Sequence, residues 1–343
     1  MARFKEQNVD IIIEKNAFSI FMKDLKDELE ISKAFVIATS SMDQDKVNHV
    51  FDNARIDTVM HVDSFVDPTE ESVNKAIELF KQSGANTIIG IGGGSVIDLA
   101  KAVVYFNLDN RPNLMLVPTT YAGTELTKGF MIVRPDHTKK SVYDIGVQPD
   151  IIIVDPTLAL TLPKRISEVV ALDAMTHCLE GAVSSINNPI AEGSALLGLK
   201  LCMKHLPAYE IDYKWREDMA IAGLLGSKAM DCGLGHIHTI TYAIANNTDL
   251  SHGELNTLFA PYVIYLTNQK DESVYEDIDI SEVLDIYRHY IIEWNLHSRY
   301  IDQHEDRFIA QAVQDSAYIS HPVPFTAQDF QSIFDDILSD SED

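Results

Sequence analysis

Two histidines have the spacing and the surroundings of metal ligands. His238 and His252 lie fourteen residues apart in HIHTITYAIANNTDLSH, residues 236–252. The first half of this stretch is typical of a helix, and the second half is polar, as in a loop. Neutral imidazole is a common ligand of divalent transition metals. If the pair binds a metal ion, further ligands must come from elsewhere in the chain.

A second candidate pair, Asp173 and His177, lies in VVALDAMTHCLEGAVSS, residues 169–185. Because the two are four residues apart, they share one face of a helix. Their neighbours are apolar, and a buried carboxylate and imidazole must either pair or bind a third group. A hydrogen bond between them within the helix therefore remains an alternative to a metal site.

Together the two pairs form a set of four ligands. Three imidazoles and one carboxylate suit Fe(II) or Zn(II). One carboxylate (−1) and one divalent ion (+2) give a net charge of +1, so the ion could still polarise an oxygen atom. His236 lies two residues from His238 and points away on a helix. We interpret it as a core or surface histidine outside the set.

A glycine-rich loop is the second chemical feature of the sequence. In IIGIGGGSVIDLAK, residues 88–101, a β-type run ends in three glycines, and we expect a helix to start at Ser95. Glycines allow a phosphate to approach the backbone N–H groups at a helix start. The pattern is not GxGxxG. The alternative is a plain turn in which Ser95 caps the helix and Asp98 completes a capping box.

Thr119 and Thr120 follow the next β-type run, in VPTTYAGTELT, residues 117–127. In an open parallel sheet, ligands bind beyond the carboxyl ends of the strands. The two hydroxyls suit ribose or phosphate oxygens, although they could equally satisfy a turn.

The pattern of expected secondary structure changes along the chain. Up to residue 155, short β-branched runs alternate with helical patterns, which indicates βαβ units. Residues 129–146 interrupt this alternation with two short strands that predict a hairpin. Strand signals nearly vanish afterwards. We predict an α/β N-terminal domain with a mostly parallel sheet, residues 1–157, and an all-helical C-terminal domain, residues 158–343.

The composition limits the partners and the compartment. The chain has 27 Lys and Arg against 52 Asp and Glu, a formal charge of −25. Such a surface repels nucleic acid and anionic membranes. Three cysteines without a CxxC pair fit a reducing compartment, and no segment is apolar enough to span a bilayer, so we predict a cytoplasmic protein. The acidic end DDILSDSED, residues 335–343, is expected to fray.

With these motifs in order, the sequence resembles the iron-containing, group III alcohol dehydrogenase family, which has the dehydroquinate-synthase-like fold. The resemblance covers roughly residues 5–335. The stretches that carry it, besides the His238–His252 pair, are GGGSVIDLAK (92–101), PTTYAGTELT (118–127), DPTLALTLP (155–163) and LDAMTHCLEG (172–181). The resemblance implies an NAD(P)-linked, metal-dependent oxidoreductase that interconverts a small alcohol and its aldehyde or ketone, as a homodimer or larger homo-oligomer.

The resemblance also implies residue roles, with the dinucleotide in the first domain and the metal and substrate in the second. The implied cofactor-binding residues are Gly93, Gly94 and Ser95 at the pyrophosphate, Asp98 near the nicotinamide, and Thr119, Thr120, Thr124 and Lys140 along the rest of the dinucleotide. The implied metal ligands are Asp173, His177, His238 and His252. Asp173 and His177 are thus the further ligands that the pair His238 and His252 requires.

The chain departs from the family pattern at Tyr242. The family usually has a histidine here, thought to relay the proton. A phenol, with an ordinary pKa near 10, is a poorer shuttle at neutral pH. We predict that Tyr242 orients the substrate or passes a proton, with simple packing as the alternative.

Other departures bear on the substrate and the cofactor. The aromatic residue in PTTYAGTE resembles the maleylacetate reductase branch, so an enzyme reducing a carboxylated enone or keto acid is an alternative. A second alternative is a non-catalytic relative that binds the cofactor or the metal. Ser40 stands where an acidic residue often binds the ribose. The nearby Asp43 and Asp45 disfavour a 2′-phosphate and favour NAD(H) over NADP(H).

Overall fold

The computed structural model describes residues 2–6, 8–63, 67–135, 139–244, 248–300, 305–313 and 320–342. The chain divides into two compact units, Met1–Leu162 and Pro163–Asp343. The sequence places this division five residues earlier, after residue 157. The reason for the difference is Asp155, whose carboxylate accepts hydrogen bonds from the backbone N–H groups of Asn16 (3.0 Å) and Phe18 (3.2 Å). It also caps the short 3-10 turn Pro156–Ala159, and so ties this turn to the first unit.

The first unit is built on one large sheet. The described strands of this sheet are β1 (Ala2–Glu6), β2 (Val9–Ile13), β3 (Lys33–Thr39), β4 (Asp57–Asp63), β5 (Thr87–Gly92), β6 (Asn113–Pro118) and β9 (Ile151–Val154). Their spatial order is β1-β2-β9-β6-β5-β3-β4. Only β1, at the edge, runs antiparallel to its neighbour among these strands. The predicted mostly parallel sheet is confirmed.

Helices connect the parallel strands, as a βαβ pattern requires. The helices of the first unit are α1 (Ala17–Glu28), α2 (Gln44–Ala54), α3 (Glu70–Ser83) and α4 (Gly94–Tyr105). The central strands are apolar on both faces; Phe35, Val36 and Ile37 of β3 are all fully buried. A run of this kind, rather than an alternating one, is typical of a parallel sheet covered on both sides.

The predicted hairpin is also present. Strands β7 (Gly129–Val133) and β8 (Lys139–Tyr143) pair antiparallel, while residues 136–138 between them lie outside the described part of the chain. A fully buried lysine of α4, Lys101, fixes the segment that leads into this hairpin. Its ammonium group donates to the backbone oxygens of Thr124 (2.6 Å), Thr127 (2.7 Å) and Gly129 (3.2 Å). The loop after β6 is therefore held against α4.

The regular secondary structure of the second unit is all helical within its described residues, as predicted. Its helices are α5 (Lys164–Ala182), α6 (Pro189–His205), α7 (Tyr213–Ala229), α8 (His236–Ile244), α9 (His252–Lys270), α10 (Ile280–Glu293), α11 (Leu296–Arg299), α12 (Glu305–Ala312) and α13 (Ala327–Glu342). Helix α5 packs against α6, α7 and α9. This explains why every residue of α5 from Ala171 to Gly181 is buried.

One expectation about the chain ends is wrong. Residues 335–342 of the acidic C-terminal stretch do not fray but form the end of α13, because Phe330, Ile333, Phe334 and Ile337 of this helix share one face and are buried. The N-terminal strand β1 was not expected, since its sequence ARFKE contains no apolar run. Within the described part of the chain, no helix has both the length and the apolar character to cross a bilayer.

Candidate metal centre and glycine loop

The four residues predicted as metal ligands meet in the second unit. Asp173 and His177 lie one turn apart on α5, His238 lies on α8, and His252 is the first residue of α9. Candidate ligand atoms of Asp173, His177 and His238 all lie within 4.8 Å of one another. The Nε2 atom of His252 is 3.6 Å from Oδ1 of Asp173. Helix α5 and the two later helices α8 and α9 therefore bring the whole set together.

The spacing of these atoms fits a transition-metal site. Nε2 of His238 lies 3.8 Å from Oδ1 of Asp173, and the rings of His177 and His238 stack with centroids 4.6 Å apart. Ligands at about 2.0–2.2 Å from a tetrahedral metal ion would lie about 3.4 Å from one another. The Nδ1 atom of His177 is buried and has no hydrogen-bond partner among the described residues. The donor set thus has the spacing of a site for a divalent ion.

Glu180 is a residue of this site that the sequence reasoning missed. Its Oε2 lies 2.6 Å from Nδ1 of His238, and its carboxylate also accepts from the backbone N–H groups of Gly235 (2.8 Å) and Ile237 (2.7 Å). An ionised carboxylate can only accept, so Nδ1 of His238 carries a hydrogen, and in the neutral ring, the form that binds a metal, Nε2 faces Asp173 with its lone pair. The spacing of Asp173, His177 and Glu180 is i, i+4, i+7, a signal that was available in the sequence.

The electrostatics of the centre favour a cation. Burial opposes charge on His238, but Glu180 and Asp173 raise its pKa to about 9. Burial would raise the pKa of Asp173, yet the three surrounding histidines hold it well below its usual range. Both carboxylates are therefore ionised at neutral pH. The ligands alone predict a net charge of +1 for the site with a divalent ion. When the Glu180 carboxylate is counted as well, the net charge of the site is −2 + 2 = 0. Polarisation of a substrate would then depend on the local electric field rather than on a net positive charge.

The start of α9 is fixed by its own network. Ser251 and Glu254 form a capping box in which Glu254 accepts from the backbone N–H of Ser251 (2.8 Å). Glu254 also pairs with Arg165 and with Arg299 (2.7 Å). Burial opposes its ionisation, but these partners lower its pKa to about 2. His252 is thereby held at a helix end that does not depend on its own side chain.

Tyr242 lies one turn after His238 on α8, against two of the candidate ligands. Its ring centroid is 5.7 Å from that of His238, and it stacks on His252 at 5.4 Å with an interplanar angle of 12°. His236, by contrast, is buried against His321 (4.0 Å between ring centroids) and Phe325 (4.4 Å). It is a core histidine outside the ligand set.

In the first unit, the glycine loop differs in one respect from the expectation. Helix α4 starts at Gly94, one residue before Ser95, and its N-cap Gly93 makes no side-chain cap hydrogen bond. The alternative capping box of Ser95 and Asp98 is therefore wrong. The first N–H groups of a helix have no partner within the helix, so an uncapped start leaves them to water or to a ligand. Because the N-cap residue is glycine, it has no side-chain oxygen that could accept from these N–H groups.

Two threonine hydroxyls flank this helix start. A Cβ atom added to Gly93 would lie 3.1 Å from Oγ1 of Thr120, and one added to Gly94 would lie 3.8 Å from Oγ1 of Thr124. The Thr124 hydroxyl is buried and has no hydrogen-bond partner among the described residues. The structure thus brings N–H groups and hydroxyls together at one point.

Of the remaining predicted cofactor residues, Ser95, Asp98 and Thr119 lie next to the same loop, and Lys140 lies on the hairpin. Ser95 and Asp98 lie in the first two turns of α4, and Thr119 is buried directly after β6. The N–H of Thr119 donates to the backbone oxygen of Gly92 (2.9 Å). Lys140 lies exposed on hairpin strand β8, opposite Ile132.

Comparison with known proteins gives consistent results for both units. Residues 8–156 match the family described as iron-containing alcohol dehydrogenase, and residues 169–286 match the C-terminal domain of the Fe-containing alcohol dehydrogenase family. The chain is 30% identical to a 4-hydroxybutyrate dehydrogenase from Cupriavidus necator, over 57% of this chain and 59% of that protein. It is also 30% identical to a maleylacetate reductase from Rhizobium sp., over 58% and 57%. The matches thus span less than two thirds of these two relatives.

The same fold is found in a solved structure. An iron-containing alcohol dehydrogenase from Thermococcus thioreducens superimposes with a TM-score of 0.88 at 17% identity, covering 98% of this chain and all of that one.

Proposed function

Because this chain belongs to the iron-containing alcohol dehydrogenase family, we propose that it is a metal-dependent, NAD(P)-linked oxidoreductase. The proposed reaction interconverts a small alcohol and its aldehyde or ketone by hydride transfer. The observation that carries this proposal is the convergence of one aspartate and three histidines from α5, α8 and α9.

We propose that Asp173, His177, His238 and His252 hold one divalent ion, Fe(II) or Zn(II). When bound, such an ion would supply Lewis-acid polarisation of the substrate oxygen. Glu180 supports this role because it fixes the tautomer of His238 and keeps Nε2 available as a ligand. The stacking of Tyr242 on His252 supports a place for its phenol beside the same substrate.

The uncapped start of α4 supports the cofactor site. We propose that the N–H groups at Gly94 and Ser95 bind the pyrophosphate, with the hydroxyls of Thr120 and Thr124 beside them. The nicotinamide cofactor supplies the hydride chemistry, and the protein has only to hold and orient it. From the family resemblance we propose Asp98 near the nicotinamide, and Thr119 and Lys140 along the rest of the dinucleotide.

We propose NAD(H) rather than NADP(H) as the cofactor, since acidic residues follow β3. Asp43 caps α2 by accepting from the N–H of Lys46, and its carboxylate also pairs with the Lys46 ammonium at 3.3 Å. Part of its charge is therefore neutralised, and the preference should be modest.

A cytoplasmic location and homo-oligomeric assembly stay predictions. The three cysteines are buried and free of disulfides.

A second candidate function is the reduction of a carboxylated enone or keto acid. It is favoured by the identity to a maleylacetate reductase and by Tyr121 in PTTYAGTE, which is almost completely buried in the loop after β6. A non-catalytic binding role is the third possibility.

An assay with defined metal content separates these possibilities. We expect protein loaded with Fe(II) or Zn(II) to oxidise NADH faster in the presence of short-chain aldehydes than without them, and to lose this activity in strong chelator. Preferential reduction of maleylacetate would favour the second candidate. Stoichiometric metal and cofactor binding without turnover of any carbonyl compound would favour the third.

Tyr242 can be tested by removing only its hydroxyl. General acid–base assistance contributes about 10²–10⁴-fold, so a catalytic hydroxyl predicts that Tyr242→Phe lowers kcat by at least about tenfold. The ring and its stacking on His252 would remain. The measurement is steady-state kinetics with the best aldehyde found above. An unchanged kcat in Tyr242→Phe would assign the residue to packing.

A further inference from the structure

Asn256 has no role in the site described so far, yet it lies at its centre. The residue is fully buried on α9, one turn after His252. Its amide nitrogen Nδ2 donates to Oδ1 of Asp173 at 2.8 Å and lies 3.2 Å from Nε2 of His238 and 3.4 Å from Nε2 of His252. These are atoms of three proposed metal ligands.

The amide N–H groups bind to the same lone pairs that a metal ion would bind. A hydrogen bond to a carboxylate oxygen or to an unprotonated imidazole nitrogen points along a lone pair of that atom, as a metal–ligand bond does. Nδ1 of His238 keeps its hydrogen facing Glu180, so in the neutral ring Nε2 presents its lone pair to this point. The amide of Asn256 offers two hydrogens to three acceptors that all converge on it.

The other half of the amide shows how the group is oriented. Oδ1 of Asn256 is buried and has no hydrogen-bond partner among the described residues. Turning the amide over would bring this oxygen against the Asp173 carboxylate, where two acceptors repel each other. The N–H₂ half therefore faces the ligands while their lone pairs are available. A divalent ion held by the same atoms would repel that half, so the amide has to turn or withdraw.

We propose that Asn256 is an internal competitor of the metal ion, which stabilises the metal-free ligand cluster and thereby weakens metal affinity. This inference rests on the proposed metal site. Its consequence is a site that releases its ion more readily than four ligands alone would allow. Removing the N–H₂ group should therefore have opposite effects on the two forms of the protein.

The test compares Asn256→Leu, which is similar in size but cannot hydrogen-bond, with the parent. We expect the dissociation constant for Zn²⁺, measured against a competing chelator, to fall by at least about tenfold, the equivalent of one hydrogen bond to a charged group. The Tm of chelator-treated protein should fall, while the Tm of the Zn²⁺-loaded protein should change little. Asn256→Ala serves as a second variant in case leucine disturbs packing.

Thr257→Val is the matched control. The Thr257 hydroxyl is also buried on α9, but it donates to the backbone oxygen of Gly253 at 2.7 Å and not to a ligand. This variant should shift both Tm values equally and leave Zn²⁺ affinity unchanged. Weaker Zn²⁺ binding in both Asn256 variants would overturn the proposal and make Asn256 a ligand or a ligand-positioning residue. Equal Tm shifts with unchanged affinity would make it a packing residue. Failure of the parent to bind stoichiometric Zn²⁺ would instead reject the metal site itself.

Discussion

Replacing His252 with alanine should release the metal ion and lower kcat/KM by at least about 10²-fold. The reason is electrostatic: one preorganised group that stabilises developing charge commonly contributes about 10²–10³-fold, and a divalent ion should contribute no less. The fold should survive, because the capping box of Ser251 and Glu254 holds the start of α9 without the His252 side chain. Elemental analysis of desalted protein, circular dichroism and aldehyde-dependent NADH oxidation check the three parts of this expectation.

His289→Ala is the control for this experiment. His289 lies on α10 with about half of its side chain exposed, and it pairs with Glu293 on the same helix. Its replacement should leave metal content and activity unchanged. If His252→Ala retains a full equivalent of metal, or if the parent remains active in strong chelator, the proposed role of the metal is wrong.

The sequence was a good guide to the elements of this fold, and the reasons are local. Strands such as β3 and β5 are continuous apolar runs with turn residues at their ends. Helix α3 has Thr69 as its N-cap, and the Thr69 hydroxyl accepts from the N–H of Ser72. Edge strand β1 has no such run and was missed, since its stability comes from pairing with β2. Helix α13 was not predicted because its many acidic residues mask the helical spacing of its buried phenylalanines and isoleucines.

The site shows the same division between local and tertiary information. Asp173 and His177 could be predicted because four residues on a helix define a shared face. That the second pair joins them depends on how α8 and α9 pack on α5; the residue types suggested one ligand set, and the family resemblance implied the same set. Glu180 and Asn256 act through contacts with residues 58 and 83 positions away, respectively, so neither stood out as a ligand or a base. A search along the faces of α5 and α9 would have found both.

The glycine loop leads to the second large expected effect. Gly94→Val should raise the dissociation constant for NADH by at least about 100-fold, because it would obstruct the approach of the pyrophosphate to the N–H groups at the start of α4. Two lost hydrogen bonds to a charged group, at about 1.5 kcal/mol each or more, account for this factor. The protein has room for the Cβ atom of the new side chain. A Cβ atom at position 94 would meet Ala122 at 3.6 Å and Thr124 at 3.8 Å, both ordinary contacts.

Gly92 shows why the choice of glycine decides the experiment. A Cβ atom there would lie 2.5 Å from a methyl group of Val96, so any substitution at Gly92 would disturb the fold and say nothing about the cofactor. Gly193→Val on α6 is the matched control, since an added Cβ meets nothing within 4 Å. Fluorescence titration with NADH should show weakened binding only for Gly94→Val, while thermal unfolding confirms that both variants are folded. If Gly94→Val binds NADH as tightly as the parent, the loop is a turn, and the pyrophosphate site must be sought elsewhere in the first unit.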